Sequence, residues 1–434
     1  MNLEKGDFFS ASLIKEIKEK FYYVDKDMHG RNRLFFDNAG GSFRLKSAVE
    51  RLAEVDALPD CPERAHELSI YLQEIQAKGT TDFRLMINAE SGSVYTSLTA
   101  SGAMFDLVRA VAENVAGSNM VTTVLEHPSS FDAMVFYAEQ TGKELRVANS
   151  NLKTGGVDVS AIINLIDQET TLLSVIYASN ISGAKLDLQE IVRQARGIKP
   201  DLYIVVDAVQ HAPHGLIDLQ KTPVDGLNIA PYKFFGCRGS GMAWVSERAS
   251  KLPHHKLSAK NKGDWELGSP APWQFAVITE IMNYVCWLGS QFTKNQNRQE
   301  LFACGMNQIE LHERALLERL LNGHDGHSGL RQMDGIKVLL DHEDLTKRDL
   351  ILAIDIENMD FVQAVREYER RGVIVYERVS TSLYSARMLE SFGLSGSIRV
   401  SPLHCNSPED IDLFLNITRQ MCLTVSKTIS TQQA

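Results

Sequence analysis

Hydrophobic and polar positions follow two alternating periodicities through the middle of the chain. Short apolar runs rich in β-branched residues predict strands at residues 120–125, 144–147, 171–177, 202–206, 226–229 and 241–245. Apolar residues at helical spacing predict helices at residues 101–115, 128–141, 159–166 and 188–196. Because parallel strands need crossover connections, the alternation predicts an α/β fold with a mostly parallel sheet flanked by helices.

The pattern changes near residue 275. Two long helices are predicted at residues 274–291 and 298–321, and shorter strands at residues 336–340, 350–356, 372–376 and 397–401. We therefore predict a large domain over residues 37–290, a smaller α+β domain over residues 291–434, and an N-terminal segment, 1–36, that packs on the small domain. Residues 57–82 form a polar insertion whose role the sequence leaves open.

Composition places the chain among ordinary globular proteins that bind small molecules. It has 434 residues and a net charge of −10, without a cluster of Lys and Arg, which argues against nucleic acid or an anionic membrane as partner. No apolar run reaches the ~20 residues that span a bilayer, and no signal peptide is evident. The six cysteines are scattered without a CxxC pair, which predicts a reduced cytoplasmic protein without a metal site.

Polar side chains follow four consecutive predicted strands. The strand ends carry His127, Asn180, Asp207 with Gln210, and Lys233. Since ligands bind beyond the carboxyl ends of parallel strands, these side chains are expected to converge on one bound ring.

Pyridoxal phosphate is the cofactor whose chemistry fits this set. Lys233 would form the Schiff base, and Asp207 would keep the pyridinium nitrogen protonated. His127 would stack on the ring, while Asn180 and Gln210 would contact the phenolic oxygen side.

The phosphate of the cofactor requires a separate site. The TASGA segment at residues 99–103 precedes a predicted helix, so Ser101 and Gly102 are candidates for binding it at the helix N-terminus. The glycine-rich GCRGSG at residues 236–241 leads into a strand, so we reject a dinucleotide loop there.

Taken singly, the candidate residues also have ordinary structural interpretations. A strand-end aspartate often caps a helix, and a lysine after a strand is usually a solvated charge. His127, which precedes Pro128, could simply start a helix. The order and spacing of the set favour the functional interpretation.

Five segments together resemble one enzyme family. They are FFDNAGG at 35–41, EHPSS at 126–130, ASNISG at 178–183, DAVQ at 207–210 and APYKFFG at 230–236. The chain resembles the class V aminotransferase, or cysteine desulfurase-like, family of fold-type I pyridoxal phosphate enzymes. The resemblance implies that fold, this cofactor, an amino acid substrate and a homodimer.

The resemblance also assigns residues beyond the strand ends. Ser269 matches a hydroxyl residue that reaches the phosphate of the neighbouring subunit, and Arg399 matches the arginine that binds the substrate carboxylate. The alternative for Arg399 is an interior salt bridge. Tyr232 replaces the usual histidine, which removes one phosphate contact, although its phenol could supply another.

The chain departs from the family at the position of the sulfur-accepting cysteine. Residues 376–385 contain no cysteine, and Thr381 aligns nearest to that position. A hydroxyl cannot replace a thiolate as sulfur acceptor. Five residues, Arg84, Tyr95, Tyr376, Arg378 and Tyr384, are candidates either for the substrate side or for ordinary surface positions.

The function implied is therefore a lyase that acts through an external aldimine and a quinonoid, cleaving a C–S or other β bond. The alternatives are an aminotransferase or an epimerase of the same fold, and, less favoured, a non-catalytic binding protein. Substrate specificity depends on loops, so the sequence leaves the substrate side chain open.

Overall fold

The structure is a computed structural model that describes residues 5–59, 62–324 and 326–433, with side chains described as far as residue 424. Its strands are β1 Leu34–Phe35, β2 Ser93–Ser97, β3 Asn119–Thr123, β4 Glu144–Ala148, β5 Thr170–Ile176, β6 Tyr203–Asp207, β7 Gly226–Ile229, β8 Gly241–Val245, β9 Ile336–Leu339, β10 Leu352–Ile356, β11 Val373–Ile374, β12 Tyr376–Val379 and β13 Gly396–Val400.

The α-helices are α1 Ala11–Lys20, α2 Lys46–Asp56, α3 Glu67–Met86, α4 Ala100–Asn114, α5 Pro128–Thr141, α6 Val159–Ile163, α7 Leu188–Ile198, α8 Glu247–Ser250, α9 Pro272–Ser290, α10 Arg298–Asn322, α11 Phe361–Arg370, α12 Ala386–Ser391 and α13 Pro408–Gln433. Short 3-10 turns occupy Leu330–Gln332 and Leu345–Lys347.

A seven-stranded sheet forms the centre of the molecule, in the order β2-β8-β7-β6-β5-β3-β4. Strand β8 runs antiparallel to β2 and β7, whereas the other neighbouring pairs are parallel. Strands β3, β5, β7 and β8 are buried throughout, and β6 is buried except at Tyr203, as expected for a sheet covered on both faces. The predicted mostly parallel α/β fold is confirmed.

Helix α3 corrects our interpretation of residues 57–82 as a polar insertion. Most of that stretch is helical, and its apolar side chains Leu72 and Ile75 are buried in a cluster with Val55 of α2 and Ala276 of α9. Gly79 of α3 lies close to Phe275 of α9, since a Cβ added at Gly79 would lie 2.5 Å from the Cβ of Phe275. Apart from the buried Ser69 and Asp82, the polar side chains of α3 lie mostly on the outer face of an amphipathic helix that packs on α2 and α9.

A second, antiparallel sheet follows in the order β12-β13-β10-β9, and β1 pairs with β11 in parallel. A separate apolar cluster lies around this part, including Leu352, Ile354, Val400 and Phe414. In the N-terminal segment, the Phe9 amide donates to His312 Nδ1 at 3.1 Å and Lys18 pairs with Asp410 at 3.0 Å. The division at residues 36 and 290 stays a prediction.

Two further findings concern the described residues. They include no helix that is both long and apolar enough to cross a membrane. They also include no group of three or more His, Cys, Asp or Glu side chains arranged to hold a metal ion.

Candidate active site

A cavity of about 620 Å³ opens at the carboxyl edge of the large sheet. Strands β5, β6 and β7 end side by side there, because Ile176 is in register with Asp207 and Asp207 with Asn228. The predicted residues that line the cavity are Ser101, His127, Asn180, Asp207, Gln210, Tyr232 and Lys233. The convergence expected from the strand ends is therefore present in the fold.

Lys233 lies in the turn that follows β7. The next-but-one residue, Phe235, has a φ of +64°, in the left-handed region, and its buried ring packs against Phe21 and Tyr284. The lysine side chain is 7% exposed, and Nζ donates to Gln210 Oε1 at 3.3 Å. Burial, with a smaller contribution from Arg399, lowers the pKa of the Lys233 amine to about 8. The amine is thus partly neutral, and nucleophilic, near neutral pH.

Reactivity of Lys233 towards an aldehyde is expected to rise with pH around a midpoint of about 8. The protonated amine is not a nucleophile, and the lowered pKa brings the neutral form within the physiological range. Reductive methylation of the apo-protein with formaldehyde, resolved by peptide mass spectrometry across pH 6 to 11, measures this profile. A midpoint near the ordinary lysine value of 10.5 would contradict the assignment.

Asp207 ends β6 and points one carboxyl oxygen at the following loop. Its Oδ1 accepts the Val209 amide at 3.1 Å, and the side chain is buried. Burial raises the pKa of this carboxyl above its ordinary value. An ionised Asp207 therefore requires a positively charged partner inside the cavity.

His127 provides a flat, uncharged ring beside the cavity. It caps the N-terminus of α5, where its Nδ1 accepts the Ser129 amide at 3.2 Å, which assigns the ring proton to Nε2. Burial lowers the pKa of His127 to about 3, so the imidazole is neutral at physiological pH. The ring stacks with Tyr384 at a centroid separation of 6.1 Å.

Glu126 is a buried residue whose role the sequence did not reveal. Its Oε1 accepts from Thr123 Oγ1 and from the Ile176 amide, each at 2.8 Å. Burial raises the pKa of Glu126 to about 8, which keeps the carboxyl protonated at neutral pH. Its backbone carbonyl accepts from Arg387 at 2.6 Å, so the strand end that carries His127 is fixed from both sides.

The N-terminus of α4 borders the same cavity. Thr99 caps it by accepting the Gly102 amide at 3.0 Å. An added Cβ at Gly102 would meet Ser97 Oγ at 2.6 Å, and one at Gly241 would meet the Ala100 nitrogen at 2.4 Å. The buried Oγ of Ser240, which also lines the cavity, has no hydrogen-bond partner among the described residues. This close-packed, donor-rich end suits an anion. Ser101 lines it, whereas Gly102 contributes through its backbone contact with Thr99.

A connected cavity of about 450 Å³ continues towards the second sheet. Arg399 lines it and is buried. One guanidinium nitrogen donates to Asp37 Oδ1 at 2.6 Å, and the other donates to the Asn180 carbonyl at 3.2 Å. Arg399 therefore forms the interior salt bridge and also lines the cavity, while its binding of the substrate carboxylate stays a prediction.

Of the candidates for the substrate side, Tyr376, Arg378 and Tyr384 line this second cavity. The hypothesis was wrong for Arg84 and Tyr95. Arg84 donates to the Gly92 carbonyl, and the buried Tyr95 hydroxyl donates to the Ala103 carbonyl at 2.9 Å, so both side chains are used in packing.

Of the two remaining candidates for the phosphate, Tyr232 lies at the cavities and Ser269 does not. The Tyr232 ring lines both cavities and lies under the Arg238 guanidinium, 4.0 Å from the ring centroid. Arg238 was not predicted, although it follows Lys233 by only five residues. Ser269 is exposed and bonds to Glu63, so it does not line either cavity.

Cysteine side chains do not line either cavity in the described part of the chain. Cys237 and Cys405 are buried, and burial raises the pKa of both thiols. Cys61 lies outside the described residues. Thr381 lies exposed on the loop between β12 and α12.

Comparisons with known proteins agree with this geometry. Residues 34–414 match the family described as aminotransferase class-V. A probable cysteine desulfurase of Xylella fastidiosa (strain 9a5c) is 23% identical over 416 residues, covering 92% of this chain and 94% of the relative.

Solved structures show the same fold. A cysteine desulfurase from Thermococcus onnurineus NA1 in its apo form superposes with a TM-score of 0.76 at 18% identity, covering 90% of this chain and 95% of that one. The cysteine desulfurase CsdA from Escherichia coli gives a TM-score of 0.72 at 17% identity, covering 96% and 100%.

Proposed function

The chain belongs to the class V aminotransferase family, whose members are pyridoxal phosphate-dependent enzymes, and we propose that it is a lyase that cleaves a C–S or other β bond of an amino acid. The observation that carries the proposal is the convergence of Lys233, Asp207 and His127 on one cavity. Among the described residues, no cysteine lines this cavity or the one connected to it.

The residues present fit pyridoxal phosphate. The buried Asp207 needs a cationic partner, which a protonated ring nitrogen supplies. Asn180 Oδ1 and Ser240 Oγ are buried in the cavity without hydrogen-bond partners in the described part of the chain, and a ligand with polar substituents would satisfy them. His127 would hold the ring face, Asn180 and Gln210 its phenolic side, and Ser101, Gly102 and Tyr232 the phosphate end.

Bound pyridoxal phosphate supplies an electron sink that stabilises negative charge at the substrate α-carbon. Lys233 would hold the cofactor in the resting enzyme, and its Nζ would then take the proton from the substrate α-carbon. A pKa of about 8 suits both tasks, since the amine can be neutral when it accepts the proton and charged afterwards.

Arg399 would orient the substrate through its carboxylate. Its guanidinium can make paired, charge-assisted hydrogen bonds, and Asp37 and the Asn180 carbonyl fix its plane. Because the orientation about the α-carbon decides which bond breaks, this fixed arginine contributes to reaction choice as well as to affinity.

The chemistry of the loop after β12 favours elimination over sulfur transfer. A persulfide-forming reaction needs a thiolate that receives the sulfur, and Thr381 offers only a hydroxyl. Burial raises the pKa values of the Cys237 and Cys405 thiols, which makes these two thiols poor nucleophiles. The sulfur-containing product is therefore expected to leave as a free thiol.

Product analysis tests the proposal. The purified protein, reconstituted with pyridoxal phosphate and given an S-substituted cysteine, is expected to release an α-keto acid, ammonia and a thiol in equal amounts without an added keto acid. Strict dependence on a second keto acid would identify an aminotransferase. Loss of optical activity without products would identify an epimerase.

We propose also that the enzyme is a cytoplasmic homodimer in which Ser269 approaches the cofactor phosphate of the partner. Ser269 is exposed, as that role requires, and Leu257 and Leu267 are exposed at 55% and 56% on the same connection between α8 and α9. Sedimentation velocity tests this part: a monomer at micromolar concentration would exclude it.

A further inference from the structure

We propose that the substrate carries a second carboxylate, in its side chain, and that Arg378 binds it. The inference rests on the proposed function, since it concerns the substrate of the same site. It goes further because it names the chemical class of the substrate and assigns a specificity role to Arg378.

Arg378 is a buried arginine without a carboxylate partner among the described residues. Its side chain is 4% exposed and lines the second cavity. One nitrogen donates to the Tyr384 carbonyl at 2.9 Å, and Nε is buried without a hydrogen-bond partner in the part of the chain that the structure describes. Because a buried guanidinium without a counter-ion is costly, its position on the cavity wall indicates an anionic ligand.

Arg378 and Arg399 lie on one face of the second sheet. Tyr376 of β12 is in register with Arg399 of β13, and Arg378 with Ser397, so the two arginines are diagonal neighbours. Such positions are roughly 7–8 Å apart, which suits two separate anionic groups on one small molecule. Burial, and then the charge of Arg399, lowers the pKa of Arg378 to about 9, and a bound anion would offset both effects.

The balance of charge around the second cavity supports the same conclusion. Besides Lys233, its walls carry four arginines and one aspartate, an excess of three positive charges; these side chains are Asp37, Arg44, Arg238, Arg378 and Arg399. A neutral amino acid is a zwitterion and does not offset this excess, whereas an acidic amino acid brings one further negative charge.

A pair of isosteric compounds tests the inference on the reconstituted enzyme. S-carboxymethyl-L-cysteine and its carboxamide, S-carbamoylmethyl-L-cysteine, share the α-carboxylate, the amine and the C–S bond, and they differ only in the charge of the side chain. Calorimetric titration is expected to show the acid binding about 10- to 100-fold more tightly, the usual contribution of a charged hydrogen bond. The same preference is expected in kcat/KM for thiol release.

Variants assign that preference to Arg378. Arg378→Gln is expected to remove most of the acid-to-amide preference while leaving amide affinity within about threefold, and Arg378→Lys to retain part of it. Arg366→Gln is the control, because Arg366 is exposed on α11 and lies outside both cavities. Circular dichroism and the absorbance of bound cofactor show whether each variant is folded and loaded.

Two results would overturn the inference while leaving the proposed function intact. One is equal binding of acid and amide by the wild-type enzyme. The other is equal weakening of both by Arg378→Gln, which would place Arg378 on the shared α-carboxylate. Failure of the proposed function has a different signature, because neither compound would then release thiol, whatever their relative affinities.

Discussion

Replacement of Lys233 by alanine is expected to lower kcat by roughly 10⁴-fold, the upper end of what a positioned proton-transfer group contributes. We propose the same amine as the covalent attachment for the cofactor, so both losses are expected from one side chain. The visible absorbance of the bound cofactor should disappear with it. Steady-state kinetics and an absorbance spectrum of the reconstituted variant measure both effects.

Lys199 provides a matched control for this substitution. It is 8% exposed, close to the 7% of Lys233, and its Nζ donates to the Gln168 carbonyl at 2.9 Å, away from both cavities. Lys199→Ala should keep the cofactor absorbance and the activity of the folded fraction. Because burial disfavours the charged form of Lys233, replacing this side chain should not destabilise the fold at neutral pH. Activity that survives in Lys233→Ala would contradict the proposed role of Lys233.

Asp207→Asn is expected to reduce kcat by about 10²- to 10⁴-fold, the equivalent of the 3–5 kcal/mol lost when one partner of a buried ion pair is removed. The asparagine oxygen can still accept the Val209 amide, so the local backbone should be retained. What is lost is the negative charge that keeps the ring nitrogen protonated. Kinetics at several pH values and a spectrum of the loaded variant check the effect.

Asp225→Asn is the control that distinguishes a loss of catalysis at Asp207 from a general loss of stability when a buried carboxylate is removed. Asp225 is also buried, but it lies just before β7, where it pairs with Arg248 at 2.6 Å and Arg196 at 3.1 Å. This variant should unfold at a lower denaturant concentration while its folded fraction retains kcat. If Asp207→Asn behaved like Asp225→Asn, with normal kcat and only reduced stability, Asp207 would have a structural role alone.

The sequence predicted the large sheet and most of the cavity because both depend on local patterns. Buried parallel strands are short apolar runs, and the residue that follows each run falls at the carboxyl edge of the sheet whatever the tertiary detail. Asp207, Asn180 and Lys233 could therefore be placed together without knowledge of their contacts. The family resemblance added Arg399, which no periodicity would have indicated.

The sequence pattern did not reveal the antiparallel direction of β8, strand β2 or helix α3. The pattern of β8 resembles that of its parallel neighbours, but the connection from β7 contains no helix, which is the signal for an antiparallel neighbour. Strand β2 is only partly buried and was not recognised. The apolar face of α3 is narrow, and the polar residues between its apolar positions obscured it.

Contacts between distant parts of the chain could not be read from the sequence. Asp37 meets Arg399 across 362 positions, and Arg387 reaches the carbonyl of Glu126 across 261. That Arg378 has no carboxylate partner among the described residues is a property of the packed cavity, since the sequence shows a charge but not its surroundings. Arg378 and Arg399 carry the inference about the substrate.

The proposal that Lys233 carries the cofactor can be tested by identifying the modified residue chemically. The protein is reconstituted with pyridoxal phosphate, reduced with borohydride to fix the cofactor on its amine, digested, and analysed by peptide mass spectrometry. We expect one modified site, at Lys233 in the peptide around APYKFFG, with stoichiometry approaching one per chain. A cofactor fixed elsewhere, or spread over surface lysines without a preferred site, would contradict the proposal.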